Sequence, residues 1–446
     1  MALSRRKFFA LAGASAAGTV MMSPLQALYA RKANGQSVFG DGYGPLIPDP
    51  NGLLDLPRGF QYRAFSRTGD VMSNNSLVPG GHDGMGAFAG PRGTTILVRN
   101  HELSPTSATK VSDLNAPVYD PLCKGGTTTL VIGNDRKLIR HYPSIQGTYR
   151  NCAGGVTPWG SWITSEENTS TPEENPGLVS KRHGYNFEVP ANATGAITPI
   201  PLKAMGRFNH EAVAIDPRTG IVYETEDTGD SLFYRFIPNQ PGELQQGGVL
   251  QALKLKNFPT GVLTRNRPTS VIPVGQPLAA EWVTIDEPDP VSDAAPTGTR
   301  FQGRAKGAAT FSRGEGIWFG NNELYFTCTD GGPARLGQVW RYVPGATAED
   351  GGTLTLFVES TQQAELQAPD NIVVSPFGDL FICEDGSGDN FVVGVNANGE
   401  LYHFARNALN DSEVAGACFS PDGQTMFLNV QTPGITYAIW GPWSRA

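Results

Sequence analysis

The stretch from Glu211 to Glu226, E-A-V-A-I-D-P-R-T-G-I-V-Y-E-T-E, holds two short apolar runs around an Asp-Pro-Arg-Thr-Gly corner, with an acid at each end. Apolar runs of this length, broken by Pro and Gly, read as a β-hairpin. The acids stand fifteen positions apart, and Asp227 follows at once. The same spacing recurs from Glu315 to Asp330, from Asp370 to Asp385, and from Cys152 to Glu167. A looser copy runs from Asp83 through Thr94–Arg99 to Asn100, His101 and Glu102. Another begins near Ala415, passes S-P-D-G at 420–423, and ends near Asn429 with no acid at either end. Aromatic-rich third strands follow at Tyr185–Val189, Leu232–Ile237, Val339–Val343, Phe391–Val395 and Ile435–Trp440, and Thr353–Val358 and Leu401–Ala405 suit outer strands. A repeat of this kind must be read before anything else. It predicts an all-β chain folded as a six-bladed β-propeller around a central metal-binding channel, with an ordinary β-sandwich as the alternative.

Antiparallel pairing brings the two ends of each hairpin to one rim, so several carboxylates converge on one axial site. Like charges so placed do not stay ionised together without cations. Carboxylate oxygens favour Ca²⁺, while thiolate and imidazole favour a transition metal. The expected ligands are Cys152, Glu102, Glu167, Glu211, Asp227, Glu315, Glu384 and Asp385. Cys152 stands where the other copies carry an acid, which favours a ligand over a small buried thiol. Neighbours in a strand point to opposite faces, so one member of each pair (Glu166 and Glu167, Glu226 and Asp227, Glu384 and Asp385) should face the channel. His210 is then a residue behind Glu211. Cys328 and Cys383 sit within apolar strands and read as core.

Arg313 lies two positions before Glu315, on the same side of an extended segment. A guanidinium there suits a bidentate grip on phosphate or carboxylate, the alternative being a plain ion pair with Glu315. Arg313 and Glu315 are the expected catalytic pair. Thr128 and Thr129, in G-G-T-T-T at 125–129, are further candidates for binding an anion, although no Walker lysine follows. No G-x-S-x-G elbow is present. The Pro- and Gly-rich segment near 286–310, with Arg300, Arg304 and Lys306, reads as an insertion that either caps the mouth or is solvated.

Composition agrees with short strands: 54 Gly and 34 Pro in 446 residues, with 17% charged and 39% hydrophobic residues, exclude a disordered polyampholyte and a helical rod. A formal charge of -8 gives no basic face for nucleic acid. Five cysteines without a C-x-x-C pair do not support a structural zinc cluster. Residues 4–9, S-R-R-K-F-F, precede a mildly apolar stretch from Phe8 to Met22 that is short for a membrane span and ends near Ala27 and Ala30. This reads as a twin-arginine export signal over residues 1–30, recognised by the corresponding export machinery, ahead of a single propeller domain over 31–446. The destination is then the periplasm or beyond. Removing the signal takes away three basic residues and no acid, leaving -11.

Several motifs together resemble the PhoX family of secreted alkaline phosphatases: G-H-D-G-M at 81–85, R-N-H-E at 99–102, N-C-A-G-G-V-T-P-W-G-S-W at 151–162, H-G-Y-N-F-E-V-P at 183–190, G-R-F-N-H-E-A-V at 206–213 and T-E-D at 225–227. The resemblance runs from about residue 40 to the C-terminus. It implies a six-bladed propeller whose channel holds iron and calcium, with Cys152 on iron, Glu211 and Glu315 as ligands, Glu384 or Asp385 as the acid after the fifth hairpin, and Arg313 on the phosphate. The expected protein is an exported, monomeric phosphomonoesterase acting on small phosphate esters. A Ca²⁺-dependent esterase or lactonase and a non-catalytic binding propeller are the alternatives. The first has no need of a thiolate, and the second no need of acids gathered at channel positions.

Overall fold

The computed structural model describes residues 27–28, 30–31, 38–320 and 322–443. The expected export signal lies outside the described residues, apart from Ala27, Leu28 and Ala30. No helix among the described residues is long and apolar enough to cross a membrane.

Three strands come first, β1 (Leu46–Ile47), β2 (Leu54–Pro57) and β3 (Gln61–Phe65). An antiparallel meander of four follows, β4 (His82–Ala89), β5 (Thr95–His101), β6 (Gly125–Ile132) and β7 (Leu138–Thr148). The second meander has only three strands, β8 (Asn151–Val156), β9 (Ser161–Glu166) and β10 (Asn186–Pro190). The third is β11 (His210–Ile215), β12 (Val222–Glu226), β13 (Tyr234–Pro238) and β14 (Gly248–Leu255). An extra strand, β15 (Leu278–Thr284), fuses it into one nine-stranded sheet with the fourth meander. That fourth meander is β16 (Gly314–Gly320), β17 (Glu323–Cys328), β18 (Gln338–Pro344) and β19 (Gly352–Glu359). The fifth, β20 (Pro369–Val374), β21 (Leu380–Glu384), β22 (Phe391–Val395) and β23 (Leu401–Asn407), extends through β2 and β1 to six strands. The last, β24 (Val414–Phe419), β25 (Met426–Val430) and β26 (Ile435–Trp440), takes its fourth strand from β3. Early and late chain thus close on each other.

The first strands pack in sequence, β4 on β8, β8 on β11, β11 on β16, β16 on β20, β20 on β24, and β24 back on β4. This is an all-β, propeller-like arrangement. It departs from six equal four-stranded sheets: one sheet has three strands and two are merged by β15.

Apolar side chains fill the gaps between consecutive meanders, as the alternation along each strand requires. Tyr223, Phe233, Phe326 and Trp340 share one such layer, with the Phe233 and Phe326 rings stacked 4.4 Å apart. Phe381, Phe404, Leu428 and Tyr437 share another. Burying each such ring contributes about 1.5–3 kcal/mol. At the axis, close approach demands glycine: a Cβ on Gly316 would sit 2.6 Å from the Asp370 carbonyl oxygen, and one on Gly84 2.6 Å from Ala153 Cα. The corners follow local chemistry, as at Asp216, whose Oδ1 accepts the Arg218 N–H at 2.9 Å while Gly220 takes φ 77°.

Candidate metal centre

Every first strand carries a β-bulge near its start. The register shifts between His82 and Met85, Asn151 and Gly154, His210 and Val213, Gly314 and Ile317, Pro369 and Ile372, and Ala415 and Cys418. A bulge re-aims the side chain it carries. The residue two positions after the one that precedes the strand falls in this register: Asp83, Cys152, Glu211, Glu315, Asp370 and, in the last strand, Ala415. The second strand of each hairpin ends opposite the start of the first, as in the pairs Asn151 with Glu166, His210 with Glu226 and Pro369 with Glu384. The residues just beyond these ends are Glu102, Glu167, Asp227, Thr329, Asp385 and Gln431. Five of these six line the same cavity.

That cavity, about 330 Å³, is lined by nine carboxyl side chains against the guanidinium groups of Arg150 and Arg313, with Cys152 among them. At the other end of the first strands a larger cavity of about 470 Å³ is walled by residues such as Val156, Ile215, Trp318 and Phe419, with no charged group among the described residues that line it. The chemistry belongs to the acidic end.

Ligand-type atoms gather there in three overlapping groups: Asp83, Glu102 and Cys152; Cys152, Glu167 and Glu211; and Glu211, Glu315 and Asp370. Within each group the atoms lie within 4.8 Å of one another. Cys152 and Glu211 each belong to two. Both carboxylate oxygens of Glu211 are buried without a hydrogen-bond partner among the described residues, as is Oδ1 of Asp83. Burial, together with neighbouring acids, pushes Glu211, Glu315, Asp83, Glu167 and Glu413 well above the carboxylate range, and Asp370 up to about 8. Burial and the carboxylates around it also push the Cys152 thiol up. A buried carboxylate with no donor beside it is costly unless a cation takes the place of the missing partners. The donor set, oxygen throughout with one thiol, fits hard cations plus one softer metal.

The two arginines hold acids of the rim. Arg313 donates to Asp227 through Nε and Nη2, both at 2.9 Å, and to Glu315 Oε1 at 2.9 Å. Thr329 Oγ1 donates to the same Glu315 oxygen at 2.7 Å. Arg150 donates to Glu102 Oε1 through Nε at 2.8 Å and to Glu167 Oε2 through Nη2 at 2.8 Å. Gln431 Nε2 bridges Asp83 Oδ2 at 3.1 Å and Glu102 Oε2 at 2.7 Å.

The structure brings together Cys152, Glu102, Glu167, Glu211, Asp227, Arg313, Glu315 and Asp385. Glu384 is elsewhere: as the last residue of β21 it points away from the axis, and its carboxylate accepts backbone N–H groups from Gln367 at 2.9 Å and Phe391 at 3.2 Å. Glu166 behaves alike, accepting from Tyr149, Gly184 and Tyr185. Thr128 and Thr129 also lie outside the cavity, because β6 is the third strand of its meander. Thr128 Oγ1 is buried against Arg99 and His101, and the Thr129 hydroxyl is buried without a partner. His210 faces away from the channel, stacking on Phe208 at 3.6 Å and meeting Asn186 at 3.1 Å. The 286–310 segment docks through Arg300 on Glu226 at 3.4 Å, with Arg300 also paired inside the segment to Asp293 at 2.7 Å, and it does not line the cavity.

Asp83, Arg150, Asp370, Glu413 and Gln431 join the expected ligands at this site. Asp83 and Asp370 head their repeats, and Arg150 precedes Cys152 at the spacing that separates Arg313 from Glu315. Glu413 and Gln431 had no signal beyond position. A second group, Asp120, Cys123 and His183, lies behind the wall. It is closed by its own hydrogen bonds: Glu166 meets His183 Nδ1 at 2.7 Å, and Asp120 accepts from Ser180, Lys181 and Leu122.

A sequence model described as alkaline phosphatase PhoX matches residues 41–434. No curated protein matches the chain. Among solved structures, PhoX of Pseudomonas fluorescens in complex with vanadate, a transition-state analogue, is 17% identical, with TM-score 0.67 over 89% of this chain and 97% of that one. A gluconolactonase from Xanthomonas campestris is 13% identical, with TM-score 0.37 over 90% and 98%. A Bacteroides thetaiotaomicron protein of unknown function is 9% identical, with TM-score 0.44 over 85% and 76%.

Proposed function

The chain belongs to the alkaline phosphatase PhoX family and is a phosphoric monoester hydrolase, and from that premise we propose that the acidic cavity is where hydrolysis occurs, on an iron–calcium cluster. The observation that carries this reading is Glu211, a buried carboxylate with neither oxygen partnered, set between Cys152 and Glu315. Cys152 would hold iron through its thiolate. Glu102, Glu167, Glu211, Asp227, Glu315 and Asp385, with Asp83 and Asp370, would share iron and calcium among their oxygens. When bound, such cations supply Lewis-acid stabilisation of phosphoryl charge.

The chain's own side chains supply the rest. Cations on Asp227 and Glu315 would compete with Arg313 for those oxygens, freeing its guanidinium for a phosphoryl group, to which its planar fork is matched. Thr329 orients Glu315, and Gln431 orients Asp83 and Glu102, so the rim acids hold their places before a ligand arrives. The ring of first strands supports a six-bladed propeller, with β15 a bridge between two blades. The S-R-R-K-F-F stretch supports twin-arginine export to the periplasm or beyond.

The reading is tested by assaying an aryl phosphate at alkaline pH before and after chelation. Phosphate release that chelation abolishes and that iron and calcium restore supports it. Release unaffected by complete chelation refutes it.

A further inference from the structure

We propose that Arg150 is a second phosphate-gripping side chain, acting with Arg313 on the same bound group; this rests on reading the acidic cavity as the phosphate site. The two residues hold one position in the repeat. Each immediately precedes the first strand of its meander and lies two residues before the side chain that the bulge turns inward, Cys152 for Arg150 and Glu315 for Arg313. Each adopts the left-handed backbone, φ 48° for Arg150 and 52° for Arg313. Gly81 and Ala368, which precede the first strands of the first and fifth meanders, share it with φ 57° and 41°, so the conformation belongs to the repeat and sets both arginines alike.

The electrostatic arrangement repeats as well. Each guanidinium bridges the acid that ends the preceding hairpin and one acid of its own: Arg150 takes Glu102 and Glu167, Arg313 takes Asp227 and Glu315. Both side chains line the cavity and stay more open than the acids they hold, 41% exposed for Arg150 and 37% for Arg313. The third meander, with Glu211, lies between them. Cations taking Glu102 and Glu167 would compete with Arg150 as they compete with Arg313. Glu102 and Glu167 belong to two of the three ligand groups, so Arg150 stands beside the part of the cluster that contains Cys152. A phosphoryl group offers more oxygens than one bidentate arginine can take, and a second arginine from another side completes the grip.

The test is calorimetric titration of inorganic phosphate into metal-loaded wild-type protein and the Arg150→Gln, Arg150→Lys and Arg313→Gln variants, with iron and calcium measured in each. Arg150→Gln should bind phosphate about tenfold to a hundredfold more weakly with its metals intact, the loss expected for one charge-assisted bond. Arg150→Lys should fall between, and KM should rise in both. Phosphate affinity within twofold of wild type in Arg150→Gln overturns the proposal. So does a weakening accompanied by matching metal loss, which would make Arg150 a tether for Glu102 and Glu167. If Arg313→Gln weakens phosphate and Arg150→Gln does not, this inference alone fails. If neither variant weakens it, the phosphate site itself has been misread.

Discussion

Arg313 lies on Asp227 with two parallel bonds, Nε to Oδ1 and Nη2 to Oδ2, both 2.9 Å. The same guanidinium reaches Glu315, and these acids raise its already high pKa further against the cost of burial. The charge is fixed, so only its partner can change. A cation that takes Asp227 and Glu315 leaves Arg313 the one strong donor set on that side of the cavity without an anion, and a phosphoryl group fits the vacancy.

Arg313→Gln should therefore lower kcat/KM for a phosphomonoester by about 10²–10³, the cost of removing one preorganised donor to developing charge. Iron and calcium content should stay near wild type, because arginine competes with the cations and does not hold them. Steady-state kinetics with elemental analysis of the same samples checks both halves. Loss of metal in proportion to activity would show instead that Arg313 braces the ligands.

Asp385 and Glu384 are neighbours with separate tasks. Glu384→Gln should leave metal content and activity close to wild type and cost about 1–3 kcal/mol of stability, since a buried acceptor of two backbone N–H groups is weakened. Asp385→Asn should do the reverse, reducing metal occupancy with little effect on folding. Chemical denaturation beside metal analysis separates them, and equal effects from the two variants would contradict the assignment.

The metal-free protein should lose stability as pH rises. Asp370 is held up at about 8, and Glu211, Glu315, Asp83 and Glu167 are pushed well above their usual range, first by burial and then by one another. In the unfolded chain such groups titrate near about 4. Between about pH 4 and pH 8 the metal-free fold therefore binds more protons than the unfolded chain, and its stability falls with pH. Cations displace those protons, so the stabilisation they give should grow over the same interval. Thermal unfolding of chelated protein from pH 5 to 8, with and without added metal, measures this. A Tm that rises with pH in the chelated protein would be the wrong sign.

The repeat was legible because its geometry is written in spacing. Fifteen positions from Glu211 to Glu226, or from Asp370 to Asp385, is the length of a hairpin whose two ends meet at one rim. What spacing could not resolve was the choice within pairs. Strand alternation makes one member face the axis, but not which one. The structure answers alike each time: the last strand residue, Glu166, Glu226 or Glu384, turns to backbone N–H groups, and the next residue, Glu167, Asp227 or Asp385, enters the cavity. In the fourth copy this places Thr329 at the rim and leaves Asp330 paired with Arg267. The bulges were not legible, because a register shift is a backbone event with no residue signature beyond the small Gly or Ala that often follows the ligand. Thr128 and Thr129 misled for a different reason. A Gly-Thr run resembles an anion loop in composition, yet here it is the interior of a third strand. The fusion of two meanders through β15 was not legible either, because the apolar residues of Leu278–Thr284 do not alternate and the stretch falls outside the hairpin repeat.

In the metal centre we propose, one channel holds iron through Cys152 and calcium through the surrounding carboxylates. Iron and calcium per chain, measured by elemental analysis in wild type and Cys152→Ser, tests it most directly. Wild type should contain both metals, and the variant should lose iron together with phosphomonoester hydrolysis while the chain stays folded. Calcium without iron in wild type, or unchanged iron in Cys152→Ser, would contradict it.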